Sequence, residues 1–146
     1  MNSELLVDPT SAYWRVNRES FLLLGGGAAL LLQLAHPLVA AGVADHSGFR
    51  DEPLRRLYRT IRTMQDIIYE DIHTALAAAR QVKRVHANVR GILREPTSAF
   101  PVGTPYRASD PELLLWVHST LLVTALTTYE QFMPLLSAHE REAYSQ

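Results

Sequence analysis

After Pro53 no Gly or Pro occurs up to Val89, and Leu54, Leu57, Ile61, Met64, Ile68, Ile72, Leu76 and Ala79 recur every three or four residues. That is the period of a helix with one apolar face. Tyr69-Glu70-Asp71 interrupts the run. Asp71 can cap a second helix reaching about Gly91, so the pattern predicts one long helix or two in succession.

Upstream the chain is far more apolar, and from Ser20 to Ala44 no residue carries a formal charge. We expect a helix from Arg18 to Leu24, close backbone approach at Gly25 to Gly27, a helix from Ala28 to His36, and a kink or restart at Pro37. A short helix from Leu38 to His46 follows, with Ser47-Gly48 in a loop and Asp51 able to cap the next element. The uncharged run is long enough for a membrane span. Gln33, His36, Pro37 and the glycines interrupt it, and no Lys or Arg cluster orients it. A buried pair of core helices is therefore the expectation, with membrane contact as the alternative.

Residues 1–12 read as an irregular leader, where Asp8-Pro9-Thr10-Ser11 supplies turn and cap chemistry before a short helix near Tyr13 and Trp14. Residues 95–109 hold three prolines and a glycine and read as a long loop. Ser109-Asp110-Pro111-Glu112 opens an apolar helix through Tyr129, and Pro134 stops it. Ser137-Ala-His-Glu has capping-box spacing and starts a last short helix. The fold class is all-α, a single domain over residues 1–146 with about five to seven helices.

Composition narrows the chemistry. With 14 Lys and Arg against 15 Asp and Glu, the net charge of -1 offers no footprint for nucleic acid. The absence of Cys removes disulfides, thiolate metal sites and cysteine nucleophiles. The acidic N-terminus is unlike a secretory signal, which points to a cytoplasmic protein, membrane-associated if the uncharged run inserts. There is no HExxH, Walker loop, GxSxG or dinucleotide fingerprint.

The six histidines are the informative set. His36 and His118 lie in apolar helical runs, where burial would keep the imidazole neutral. For His118 the expected role is a core histidine bonded to a carbonyl. His86 sits between the apolar Val82, Val85 and Val89 and the basic Arg80, Lys83, Arg84 and Arg90. Such a ring can hold iron while arginines pair with porphyrin carboxylates; on spacing alone, a solvated basic face fits as well.

Five ordered blocks then carry a resemblance: WRVNRESFLLLGGGAALLLQLAHPLVAAGVADHSGF, RRLYRT, RVHANVRG, YRASDPELLLWVHSTLL and EREAY. From Trp14 to Tyr144 they resemble the oxygenase family that includes MpaB and the latex-clearing rubber oxygenases. The resemblance implies an all-helical fold, haem b, and dioxygen-dependent cleavage of a carbon–carbon double bond in an apolar isoprenoid-like substrate. It makes His86 the iron ligand and places Arg56 and Thr60 beside the haem; Arg84 and Arg90, next to His86, are the candidate cofactor-binding partners. Arg59 falls where latex-clearing proteins have a distal lysine; a guanidinium stays protonated and ligates iron poorly, so a closed six-coordinate state is not expected. His36, Asp45, His46 and His118 are candidates for polar groups near dioxygen or for structural hydrogen bonds. The blocks correspond to the N-terminal half of such proteins, which leads us to expect a truncated domain whose exposed apolar surface is met by self-association or a covering partner.

Overall fold

The computed structural model describes residues 5–46 and 52–145, and of Pro53, Leu54 and Arg56 the backbone only. The architecture is all-α with one small hairpin. In chain order it comprises α1 (Ala12–Asn17), a 3-10 helix (Ser20–Gly25), α2 (Gly26–Leu34), α3 (Pro37–His46), α4 (Pro53–Tyr69), α5 (Ile72–Asn88), β1 (Arg90–Ile92), β2 (Pro105–Arg107), α6 (Pro111–Phe132) and α7 (Ala138–Ser145).

Local chemistry explains the boundaries. Ser11 caps α1 by accepting the Trp14 N–H, Asp71 caps α5 by accepting from His73 and Thr74, and Asp110 caps α6 by accepting from Glu112. The periodic run from Pro53 is therefore two helices, with α5 ending at Asn88 rather than Gly91. Before α7 the Ser137 hydroxyl accepts the Glu140 N–H at 3.3 Å, while Glu140 Oε2 accepts the Ser137 N–H at 2.8 Å, completing the expected capping box. The cap expected from Asp51 and the loop at Ser47-Gly48 lie outside the described residues.

Helix α6 is the longest element described, and its 22 residues span about 33 Å. One core cluster sits against its C-terminal part: Val16, Tyr129, Leu136 and Tyr144, with Phe21 and Leu126 packed around them. A second sits against its first turn: Leu38, Leu93, Tyr106 and Leu113, with Val39 and Phe100. Each fully buried apolar side chain of this size contributes about 1.5–3 kcal/mol. α4 and α5 pack on each other, and the pair is tied back by the Trp14 ring meeting Tyr69 edge-on at 4.7 Å and by a bridge between Leu5 and Asp71.

Three expectations need correction. The apolar pair near the N-terminus is buried on one side only: Ala29 and Leu38 are covered, whereas Leu24 and Leu31 are 73% and 72% exposed. Among its glycines only Gly25 makes a close approach, since a Cβ there would lie 3.0 Å from Thr124 Cγ2, while one on Gly26 or Gly27 would meet nothing. The long loop contains β2, antiparallel to β1 with Gly91 opposite Tyr106. Three-residue strands are too short to show a period of two, and Leu93 and Gly103 close the hairpin through Leu93 N–H to Thr104 O and Gly103 N–H to Leu93 O.

Among the described residues no single helix is long and apolar enough to cross a membrane. Ser20–Leu34 and Pro37–His46 meet that test only as a pair, bent by 108°.

Candidate functional site

The bend between α2 and α3 places the site. Pro37 lacks an N–H and suits the first position of α3. His36 completes the cap: its carbonyl accepts the Ala40 N–H at 2.9 Å and its Nδ1 accepts the Leu38 N–H at 3.3 Å. Its ring is held near Phe100 and Trp116, at 5.7 and 5.6 Å. The Trp116 indole donates to the carbonyls of Leu32 and Gln33, satisfying the end of α2. His36 thus serves the bend itself.

From that bend α3 descends along a cleft of about 240 Å³ walled by α3, α4, α5, β2 and the first half of α6, with Gln33 contributed by α2. Its lining is mainly apolar, with Val43, Val85, Val89, Leu113 and Val117 among the contributors. Polar groups enter at few points: Gln33, His46, Arg59, His86 and Tyr106. Apolar walls with a small number of placed polar groups are the usual composition of a small-molecule site.

His86, on the last turns of α5, is half-buried, and burial holds its basicity below the ordinary histidine range. The neutral ring is the form that offers a lone pair to a metal or a proton. Arg59 reaches the same cleft from α4 and has no carboxylate partner among the described residues.

The hairpin supplies the rest. Tyr106 is only 3% exposed, and its hydroxyl donates to Asp45 Oδ2 at 2.6 Å. Burial first, and the Asp45 carboxylate second, push the phenol up to about 12, so it remains a donor. Asp45 Oδ1 faces the Arg94 guanidinium at 3.4 Å. One residue on, His46 Nε2 meets the Arg90 carbonyl at 3.0 Å and its ring stands edge-on to Tyr106. Gly91 is required here, because a Cβ on it would lie 2.5 Å from the Tyr106 hydroxyl oxygen.

The sequence candidates therefore separate. His86, Arg59 and His46 come together in one cleft, and Asp45 joins them through Tyr106. Arg84 donates to Gln81 at 2.6 Å. Arg90 is exposed and offers its carbonyl, to His46; neither arginine is in the cleft wall. Thr60 is exposed and outside the wall, and the Arg56 side chain lies outside the description. His118 is exposed, which corrects its expected place in the core: the α6 face that meets the other elements carries Leu113, Thr120, Thr124 and Tyr129, and His118 falls off that face. Tyr106, Arg94, Gly91 and Gln33 were not singled out by sequence. Tyr106 and Gly91 lie inside the quoted blocks, yet nothing local marks their pairing.

Among the described residues no group of three or more His, Asp or Glu could hold a metal ion. A metal carried by a macrocycle needs only one or two protein ligands. No curated protein and no solved structure matches the chain. The model of the ER-bound oxygenase mpaB/B'/Rubber oxygenase catalytic domain matches residues 13–146, which covers both cores and the cleft, and the chain belongs to that family.

Proposed function

We propose that the chain is a haem-b-dependent oxygenase acting on an apolar, isoprenoid-like alkene, with His86 as the protein ligand to iron. The observation that carries this reading is the desolvated His86 ring in the wall of an apolar cleft, within an oxygenase domain. The donor set suits the cofactor: one neutral imidazole and a guanidinium without a carboxylate partner among the described residues, in one cleft, match a macrocycle bearing carboxylates. At about 240 Å³ the cleft is smaller than typical ligand pockets of roughly 300–1,000 Å³, so a macrocycle would also occupy its open side.

When bound, haem supplies an iron centre that activates dioxygen. The remaining work falls to the chain. His86 offers its lone pair, and its partial burial lowers its basicity. Arg59, permanently protonated, is a cation rather than a ligand and would hold an anionic group at the cleft mouth. Arg84 gives one terminal nitrogen to Gln81 and keeps its other guanidinium N–H groups for a propionate. Arg56 and Thr60 are the residues that the family resemblance assigns to the surroundings of the cofactor, and Arg90 is a further candidate for a propionate. Apolar side chains of α3, α5 and α6 would receive the alkene.

The visible spectrum of protein expressed with haem supplied tests this directly. A Soret band in wild type that is lost in His86→Ala, with the helical circular dichroism unchanged, supports the assignment. No Soret band in wild type removes the cofactor, and a non-catalytic remnant that binds an apolar molecule becomes the better description.

A second reading, membrane association, is favoured by the exposed leucines Leu23, Leu24, Leu31 and Leu32 on the uncharged segment. Flotation with phosphatidylcholine vesicles tests it: comigration that survives high salt supports apolar contact, and recovery of all protein in the unbound fraction rejects it. The same leucines are the surface on which self-association or a covering partner would be found.

A further inference from the structure

We propose that His46 is the hydrogen-bond acceptor of the cleft, presented through Nδ1 and oriented by Arg90 and Tyr106, for a hydroxyl group on an otherwise apolar ligand. The tautomer follows from the partner. A backbone carbonyl can only accept, so the 3.0 Å contact with Arg90 O requires the hydrogen on Nε2. In the neutral ring the lone pair is then on Nδ1, which has no hydrogen-bond partner among the described residues.

Orientation is fixed from a second side. The Tyr106 ring stands at 77° to the imidazole with centroids 6.3 Å apart. Tyr106 has no room to swing: it is 3% exposed, its hydroxyl is bound to Asp45, and its ring end lies over Gly91. The Arg94 guanidinium keeps the Asp45 carboxylate in place for that bond. The carbonyl anchors one nitrogen of a ring in the cleft wall and leaves the other for a ligand, the arrangement by which proteins preset an imidazole.

The surroundings define the ligand class. The cleft wall that His46 shares is mainly aliphatic, with Val39, Val43, Val85 and Val89 among its residues. A pure hydrocarbon would leave the Nδ1 acceptor unused, whereas a chain with a hydroxyl satisfies it, and a site built to bond a hydroxyl discriminates against the analogue lacking one. His46 is itself exposed at the cleft mouth, so the discrimination is modest. This inference rests on the proposed function in one respect: the lone pair of His86 is assigned to iron. Gln33 is then the competing acceptor in the wall.

The test uses full-length protein labelled with 15N-histidine, as purified and reduced under carbon monoxide so that any iron is diamagnetic. Long-range 1H–15N spectra are expected to show His46 protonated at Nε2 and bare at Nδ1. Titration with 1-heptanol should move the Nδ1 resonance, and methyl hexyl ether should not. The alcohol should bind about fivefold more tightly, the scale of one net hydrogen bond. His46→Phe should erase the preference and Gln33→Leu should keep it. A proton on Nδ1, equal affinity for alcohol and ether in wild type, or a preference lost only in Gln33→Leu would overturn the proposal. If His46→Phe fails to fold, the wild-type tautomer and titration decide alone. A missing Soret band counts against the haem assignment and not against this one.

Discussion

The two ends of α6 are built by the same helix and solve different problems. At its C-terminal end Tyr129 joins Val16, Leu136 and Tyr144 in a core where Tyr13 stacks on Tyr144 at 5.4 Å and Phe21 tilts against Phe132 at 5.0 Å. Arg15–Glu140 and Arg141–Glu130 fasten α7 over it. At the N-terminal end Leu113 joins Leu38, Leu93 and Tyr106, and the packing stops short, leaving the cleft between α3, α5 and α6. One end is closed by aromatic area and ion pairs; the other keeps a void and holds its polar groups by hydrogen bonds. Stability and site are thereby separated along one element.

If so, truncation at the closed end should cost most. Tyr129 is 4% exposed, and Tyr129→Ala removes a large buried ring that little can replace. We expect a loss of about 3–5 kcal/mol in denaturant unfolding. A loss under about 1 kcal/mol would mean that this cluster is not the stabilising core.

At the cleft end the sensitive residue has no side chain. Gly91→Ala would drive a methyl into the Tyr106 hydroxyl, displacing it from Asp45. The expected cost is about 1–3 kcal/mol, typical of overpacking. Adding Tyr106→Phe should recover part of it, because the oxygen closest to the new methyl is gone. Additive losses in the double variant would show that the two residues do not meet.

These glycines also show how far the sequence could be read. Helix positions and caps were legible because they depend on neighbours in sequence: Asp71, Asp110 and Ser137 act on N–H groups two or three residues away. The family blocks named His86, Arg59, Asp45 and His46 as separate candidates, without their mutual placement in one cleft wall or beside it. What stayed hidden was long-range. Nothing near Gly91 announces Tyr106, 15 positions on, and nothing near Asp45 announces a phenol at a separation of 61. The run Gly25 to Gly27 misled in the opposite sense, since one glycine of the three is close-packed. His118 misled because an apolar run does not say which residue falls off the buried face.

Gly27 turns that correction into a smaller prediction. It lies in α2 with open space where a Cβ would stand. Gly27→Ala restricts the unfolded chain without a clash, so stability should rise by about 0.4–1 kcal/mol. A loss instead would place an unseen neighbour against that face.

The smallest expected effect is confined to acid. The Arg15 side chain beside Glu140, with help from Ser137, holds the Glu140 carboxyl down to about 2. A carboxylate whose folded pKa is depressed stabilises the fold above its unfolded value, near 4.5, and that contribution disappears as pH falls through about 2. Both partners are partly solvent-exposed, with side chains 43% and 35% accessible, so screening keeps the effect small. Glu140→Gln should therefore flatten the pH dependence of unfolding below about pH 4.5 and narrow the gap to wild type as the medium becomes more acidic. Salt should weaken the wild-type advantage at neutral pH. Urea midpoints at three pH values, with and without added salt, decide the matter. A gap between wild type and Glu140→Gln that is constant down to pH 2 would show that the Glu140 charge contributes nothing to stability and leave the closed end of α6 to its aromatic core.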